Sequence, residues 1–265
     1  MRRWVSLLVQ TLSDAPKASQ TKQVLKMTFK HSKWEATNIK TFVFDSSNVS
    51  FKFNAGQYII VKFDDLLDDA RGKMRQFSIS SSPSESEEHI SITTTIEPND
   101  SPFKMRLNSL RQGDEVDILG PFGRFVLPNL EERKEIVMIA GGIGITPFHS
   151  MIKHWSLNPY KTTVRLIYSA KNRESLVFKD EFDRLAAANP TFSVRYVLTE
   201  PKPSAPTEHV GFIDTQVIEN FVPNIGEALF YIAGPPSIVS ELLERLTRHF
   251  SVKLESIRAE RFTGY

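Results

Sequence analysis

The pattern of apolar and polar positions changes rhythm once along this chain. In the first half the apolar residues come in short runs, many alternating with polar ones, which is the two-residue period of a half-buried strand. These runs predict strands over Val24–Phe29, Thr41–Phe44, Gln57–Phe63, Gln76–Ser80, His89–Ile96, Glu115–Leu119 and Arg124–Leu127. Gly, Pro, Asn, Asp and Ser punctuate them, and a single helix is expected near Pro102–Leu110. Short strands broken by turn residues predict a small antiparallel β-barrel.

Beyond Pro128 the elements lengthen and alternate. A continuous apolar strand over Ile136–Ala140 leads into a helix over Pro147–Trp155, with proline in its first turn. Strands then follow at Val164–Ser169, Phe192–Leu198, Leu229–Ala233 and Leu254–Glu260. Helices separate them at Phe178–Ala188, Asp214–Asn220 and Pro236–Phe250. Strand–helix alternation of this kind predicts an α/β parallel sheet covered on both faces. The polar stretch Asp14–Gln23 reads as a linker. The expected organisation is therefore an extension over 1–22 and two domains, an antiparallel barrel over 23–127 and an α/β nucleotide-binding domain over 128–265.

Composition narrows the chemistry more than the fold. At 265 residues, with 40% hydrophobic residues, the chain can bury cores without covalent staples. A net charge of +2 gives no field for nucleic acid, which is excluded as a partner. The chain has no cysteine, so disulfides, a thiolate nucleophile and a cysteine-ligated cluster are all excluded. That absence suits a reducing compartment, and a cytoplasmic location is expected. No run reaches the ~18 apolar residues of a transmembrane helix. The opening Met1-Arg2-Arg3 and the apolar residues after it read as a weak membrane-surface anchor over 1–12 or as a short extension packed on the body. The second reading is favoured, because the apolar stretch breaks at Gln10 and lacks a small-residue cleavage pattern. His149 and His154 lie five residues apart, off a common helix face, and read as surface or structural groups with no metal site.

Three motifs carry chemistry. Gly141-Gly142-Ile143-Gly144-Ile145-Thr146-Pro147 lies between the first α/β strand and its helix. Glycines there allow a sharp turn and close approach to a ligand, and the helix aims N–H groups at a pyrophosphate. Alone, such a turn also serves purely steric ends. Arg75-Gln76-Phe77-Ser78 lies in a barrel strand. Its arginine offers a planar fork to phosphate, Phe77 points to the same strand face, and the Ser78 hydroxyl can donate to a ring nitrogen. Alone, it reads equally as an ordinary strand with one exposed arginine. Ala233-Gly234-Pro235-Pro236 ends another α/β strand, where open sheets bind ligands, or it is a plain strand-to-helix turn.

Taken in order, the three motifs make the chain from about residue 23 onward resemble the ferredoxin–NADP reductase superfamily of flavoproteins. The resemblance implies FAD as cofactor and NAD(P)H as hydride donor. It implies that Arg75 pairs with the FAD pyrophosphate, that Phe77 stacks on the isoalloxazine, and that Ser78 bonds near flavin N5, with Gln76 beside them. Thr93 and Thr94 lie where relatives follow the ribityl and diphosphate chain. Gly142, Gly144 and Thr146 would line the nicotinamide end, and Gly234 and Pro235 would flank the dinucleotide. Lys104 and Met105 stand where relatives carry a Gly–Ser stretch that binds the pyrophosphate. Ala233 replaces the cysteine many relatives place before Gly-Pro. Near the C-terminus Glu260 is implied in proton or charge balance, with Phe262, or else Tyr265, covering the flavin face.

The implied catalytic set is thus Ser78, Thr146, Glu260 and Phe262. Ser169, Lys171 and Arg173 after the second α/β strand permit a 2′-phosphate, so the reading leans to NADP. The chain holds no cluster of its own, and the expected acceptor is a separate ferredoxin- or flavodoxin-like protein or similar. Two alternatives stay open: a flavin or ferric-chelate reductase with a small-molecule acceptor, and a nucleotide-binding redox-sensing module without turnover.

Overall fold

The computed structural model describes residues 24–132, 134–158, 160–201 and 208–263. The expectations placed on residues 1–22 and on Tyr265 lie outside the described residues.

The first half builds six antiparallel strands: β1 (Leu25–Ala36), β2 (Ile39–Asp45), β3 (Tyr58–Lys62), β4 (Met74–Ser78), β5 (His89–Thr95) and β6 (Glu115–Phe122). Their order is β4-β3-β6-β1-β2-β5. A bridge between Ile79 and Ile92, with the Ser80 N–H on the Ser91 carbonyl at 2.8 Å, draws the two edges together and closes the barrel. Inward positions fill it with Met27, Phe42, Phe44, Ile59, Val61 and Ile118. Helix α1 (Pro102–Asn108) plugs one end with Phe103 and Leu107.

The sheet of the second half is entirely parallel. It comprises β7 (Glu135–Gly141), β8 (Thr163–Ala170), β9 (Phe192–Leu198), β10 (His209–Val210), β11 (Leu229–Gly234) and β12 (Ile257–Arg261), ordered β10-β9-β8-β7-β11-β12. β7 is buried along nearly all its length, which is why its sequence is an unbroken apolar run. Helices α2 (Ile145–Ser156) and α3 (Lys179–Ala188) bring Phe148, Trp155 and Phe182 to one face. Helices α4 (Thr215–Glu219) and α5 (Pro236–Glu244) bring Val217, Ile218, Val239 and Leu242 to the other. The chain winds outward from β7 in one direction and returns beside it as β11, so the switch point lies between the loops that follow β7 and β11.

Several expectations about elements change. The strand expected over Leu254–Glu260 starts only at Ile257, after a 3-10 turn over Leu254–Ser256, and the short β10 was not expected. No strand forms over Arg124–Leu127. Phe125 turns instead into the second core, 5.8 Å from the Phe148 ring and 5.2 Å from Tyr231, whose hydroxyl donates to the Val126 carbonyl at 2.6 Å. The helix expected to reach Phe250 is α-helical only to Glu244 and widens into a π-turn over Arg245–His249. There the Thr247 hydroxyl bonds back to the Leu243 carbonyl at 2.7 Å. β1 runs on to Ala36, past the point where its apolar alternation stops, because its outer part pairs only with β2 and is largely exposed.

Helix α2 is the joint between the two sheets. The His149 Nδ1 lies 2.7 Å from the Ser80 carbonyl and its Nε2 3.0 Å from the Glu181 carboxylate. Ser150 donates to the Ser81 carbonyl at 2.6 Å, and Lys153 to Glu85 at 2.7 Å. His149 is thus a buried structural group, stacked on Phe178 at 3.7 Å.

Candidate functional site

A cavity of about 390 Å³ opens along the seam between the barrel and the parallel sheet. The barrel contributes Arg75, Gln76, Phe77 and Ser78 from β4 and Thr93 and Thr94 from β5, with Lys104 from α1. The α/β half contributes Thr146 from the glycine-rich turn, and Glu260 and Phe262 from the end of β12. Ten of the side chains singled out from the sequence therefore meet in one cavity.

The two ends of the cavity differ in chemistry. At about 3.3 Å per strand residue, Arg75 and Ser78 stand roughly 10 Å apart along β4. Cationic groups gather at the Arg75 end, where Lys104 donates to Thr95 at 2.8 Å and pairs with Asp100 at 3.2 Å. Arg75 itself is heavily engaged. Its Nη1 donates to the carbonyls of Arg71, Gly72 and Met74 at 2.7–2.9 Å, and its Nη2 meets the Asp69 carboxylate. Its Nε is buried without a partner.

The Ser78 end is aromatic and carboxylic. Tyr58 lies opposite Ser78 in register and packs on Phe122 at 5.7 Å. Glu260 is partly buried as a residue, but its Oε2 is shut off from solvent with no hydrogen-bond partner. Burial pushes its carboxyl up to about 7. Burial also raises the Tyr58 phenol, and the nearby Glu260 charge adds to this. The Phe262 N–H donates to the Gly234 carbonyl at 2.9 Å, which fixes the tail of β12 against the Gly-Pro turn.

The glycine-rich turns border this end with backbone. Gly142 adopts φ +53°, in the left-handed region that favours glycine, and a Cβ there would meet only open space. Gly144 faces the opposite constraint: a Cβ would lie 2.3 Å from the Ala233 carbonyl oxygen. Gly234 in turn approaches the Gly141 carbonyl, so the turns after β7 and β11 pack backbone on backbone at the switch point. Thr146 donates its hydroxyl to the Ile143 carbonyl at 3.1 Å and so stiffens the turn it ends.

Several expected residues stand elsewhere. Met105 follows Lys104 round the helix and lies 45% exposed in a second cavity, beside Trp34 and Lys171. Ser169 is buried at the end of β8, in register with Gly141. The Arg173 side chain is 60% exposed and pairs with the Glu208 carboxylate at 3.1 Å. Thr93 does line the cavity, but its hydroxyl is taken up inside the barrel by Thr41 at 2.8 Å and Ser80 at 3.0 Å. Conversely, Tyr58, Arg71, Ile143 and Arg261 line the cavity without having been singled out. Tyr58 becomes visible only once the register that sets it opposite Ser78 is known.

Known proteins share both halves. Residues 25–127 match the family model for the oxidoreductase FAD-binding domain, and residues 138–242 match that for the oxidoreductase NAD-binding domain. The chain therefore carries an oxidoreductase FAD-binding domain followed by an oxidoreductase NAD-binding domain. Its relatives include NADH-cytochrome b5 reductase 1 of Dictyostelium discoideum, 40% identical over 127 residues, which are 47% of this chain and 43% of that protein. The flavohemoprotein of Bacillus subtilis (strain 168) is 31% identical over 215 residues, 80% of this chain and 52% of that one. The chain spans about half the length of these curated relatives. A ferredoxin NADP+ reductase from Neisseria gonorrhoeae, solved with bound FAD and NADP, shares the fold with a TM-score of 0.75 at 20% identity, over 91% of this chain and 99% of that one. Among the described residues no helix is long and apolar enough to cross a membrane.

Proposed function

We propose that this protein takes a hydride from a nicotinamide dinucleotide onto FAD held in the seam cavity, and passes the electrons to a separate acceptor protein of the ferredoxin or flavodoxin kind. The observation that carries the reading is the meeting of Ser78 from the barrel and Thr146 from the α/β turn at one cavity, beside the switch point of the parallel sheet.

The residues present fit a flavin. Aromatic rings and the Ser78 hydroxyl suit the edge and face of a planar ring system, while Arg71, Arg75 and Lys104 suit its phosphates. Of the three buried side-chain atoms without a partner among the described residues, two line this cavity, Arg75 Nε and Glu260 Oε2, a donor and a carboxyl oxygen of the kind a polar ligand satisfies; the third, Glu208 Oε2, lies elsewhere. When bound, FAD supplies the chemistry of accepting two electrons together as hydride and releasing them singly.

The chain's own groups do the rest. Ser78 donates a hydrogen bond to the ring edge. Phe77, half-buried against Phe103 at 6.1 Å, offers one apolar wall. Phe262 covers the opposite side until nicotinamide takes its place. Gly142 leaves open space for the dinucleotide, Gly144 and Gly234 let the two turns pack closely behind it, and Pro235 flanks them. Glu260 holds a proton at its carboxyl near neutral pH and exchanges it as charge on the ring changes. The pairing of Arg173 with the Glu208 carboxylate offsets the charge a 2′-phosphate would use, and it supports NADH here, against the lean to NADP drawn from the sequence.

Anaerobic titration of the flavin-loaded protein with NADH and with NADPH tests the reading. Bleaching of the flavin absorbance is expected with either coenzyme, at lower concentration with NADH, and a flavin that stays oxidised refutes it. One observation favours a second reading, in which flavin is a dissociable substrate: the engagement of Arg75 by Asp69. Loss of flavin on a desalting column separates that reading from the first.

A further inference from the structure

We propose that His149 is a positioning residue for the hydride step, setting the distance between the barrel strand that holds the flavin and the turn that receives the nicotinamide. The inference rests on the reading of the seam cavity as the place where those two rings meet.

Ser78 and Thr146 border the cavity from different domains, and His149 joins the backbone of one to the helix of the other. Ser78 lies two residues before Ser80, roughly 7 Å along an extended chain. Thr146 lies three residues before His149 on α2, which sets the two on neighbouring turns of one helix face. The His149 Nδ1 stands 2.7 Å from the Ser80 carbonyl. That carbonyl can only accept, so Nδ1 donates in this bond. Ser150 and Lys153 also bridge from α2 to the barrel, but further from the turn that Thr146 ends.

Both ends of the bond are fixed. Ser80 is buried, its N–H donates to the Ser91 carbonyl at 2.8 Å, and its hydroxyl lies 3.0 Å from the hydroxyls of Ser91 and of Thr93, which lines the cavity. The imidazole is held from the side of α3. Its Nε2 lies 3.0 Å from the Glu181 carboxylate, its face stacks on Phe178 at 3.7 Å and 17°, and Phe182 packs across it at 6.0 Å and 67°. Phe178 takes φ +62°, a left-handed conformation unfavourable for an L residue, at the position whose ring lies flat on the imidazole. An apolar side chain would fill this aromatic pocket, so the filling of space does not account for a buried ring with a polar partner at each nitrogen. What the imidazole adds is direction: a ring oriented by α3 and aimed at one carbonyl of the barrel.

Hydride transfer is the step that needs such a fixed relation. It breaks a C–H bond of the reduced nicotinamide and forms an N–H bond on the flavin, both electrons passing with the hydrogen, so the coenzyme is oxidised as the flavin is reduced. The reacting atoms must stand about 3–3.5 Å apart, and a misplacement of about 1 Å can cost about a hundredfold in rate. Binding either ring makes no such demand, since each is held by its own wall. Loss of the bond from His149 to Ser80 therefore spoils the approach of the two rings and spares the affinity for each.

The test replaces the two ring nitrogens separately in the full-length, FAD-loaded protein. The side-chain amide of asparagine falls near Nδ1 and that of glutamine near Nε2. His149→Asn thus keeps a donor for Ser80, His149→Gln keeps only the Glu181 side, and His149→Ala keeps neither. Two readings are taken on each. One is the charge-transfer absorbance that the oxidised flavin develops with saturating tetrahydro-NADH, an analogue that stacks on the ring but gives up no hydride. The other is the rate of flavin bleaching at saturating NADH without oxygen. The glutamine and alanine variants are expected to lose most of the band and to bleach about tenfold more slowly or worse, with FAD and NADH affinities within about threefold of the unmodified protein, while asparagine restores both readings. If glutamine or alanine prevents folding, the other decides, because both lack the donor. A band and a rate that survive in either variant overturn the proposal. A loss that asparagine does not restore also overturns it, since that outcome assigns His149 to packing. So does a loss matched by weaker FAD or NADH binding, which assigns it to the integrity of the site. If NADH and NADPH both leave the flavin of the unmodified protein oxidised, the reading of the cavity itself falls and takes this one with it.

Discussion

The two walls of the seam cavity are built from different materials. The barrel wall works with charged side chains: below the surface Arg75 pairs with Asp69, and Lys104 pairs with Asp100. The α/β wall works with backbone, where the turns after β7 and β11 touch through Gly144, Gly234 and main-chain carbonyls. A wall of paired charges is sensitive to the loss of a partner, because the other charge is left buried. A wall of packed backbone is indifferent to charge and sensitive to volume. The contrast suits the two ligands assigned to them: the barrel grips a cofactor, while the turns offer a surface that a coenzyme can enter and leave.

The largest effect is expected on the barrel wall. Arg75→Ala leaves the Asp69 carboxylate buried with backbone N–H groups alone, and should destabilise the chain by roughly 3–5 kcal/mol in urea unfolding. Adding Asp69→Asn to that variant should recover much of the loss. A single variant that costs under about 1 kcal/mol would mean that the pair is no more than a surface ion pair, and the contrast between the walls would fail.

Glu260 stands where the walls meet, and its effect depends on pH. Its carboxyl titrates near 7 in the folded chain against an ordinary 4.5, so between those values the folded chain keeps a proton the unfolded chain has released. The stabilising contribution is complete below about 4.5 and is lost as pH rises through about 7, by roughly 3 kcal/mol in all. Glu260→Gln should flatten that part of the stability profile. A slope between pH 5 and 8 that Glu260→Gln leaves unchanged, measured by denaturant titration at several pH values, would show that Glu260 is not held protonated (the six histidines also titrate in this window but are common to both proteins).

Much of this was legible in the sequence, for reasons that differ between the walls. The strands that face a core announced themselves, since burial on one or both faces leaves a two-residue alternation or an unbroken apolar run. β7 and the glycine turn after it are the clearest case. The outer half of β1 was not legible, because a segment exposed on both sides has no pattern to show. Arg124–Leu127 misled for the converse reason: Phe125 is buried, but against α2 and β11 across the seam rather than in a ladder. Arg75 was visible as a candidate from its motif. The partner that engages it was not, because Asp69 lies in a polar loop whose pattern gives no hint that its carboxylate turns inward.

The smallest expected effects test the backbone wall, and there two neighbouring glycines make the comparison sharp. Gly144→Ala drives a methyl group to within 2.3 Å of the Ala233 carbonyl, and backbone on both sides cannot step aside as a flexible side chain would. Overpacking of this kind costs about 1–3 kcal/mol and should pry the two turns apart, so coenzyme affinity falls together with stability. Gly142→Ala meets nothing within 4 Å, and its penalty is that of holding an alanine at φ +53°, about 1 kcal/mol. It should therefore leave the contact between the turns intact, while setting a methyl group on the open side where the dinucleotide is expected to lie. The informative quantity is the ratio of lost coenzyme affinity to lost stability, from equilibrium titration and urea unfolding of both variants. If the open side of the turn is a binding surface, that ratio is larger for Gly142→Ala than for Gly144→Ala. Equal ratios would mean that the glycines serve only the packing of one turn on the other, which is the steric reading such a motif always allows.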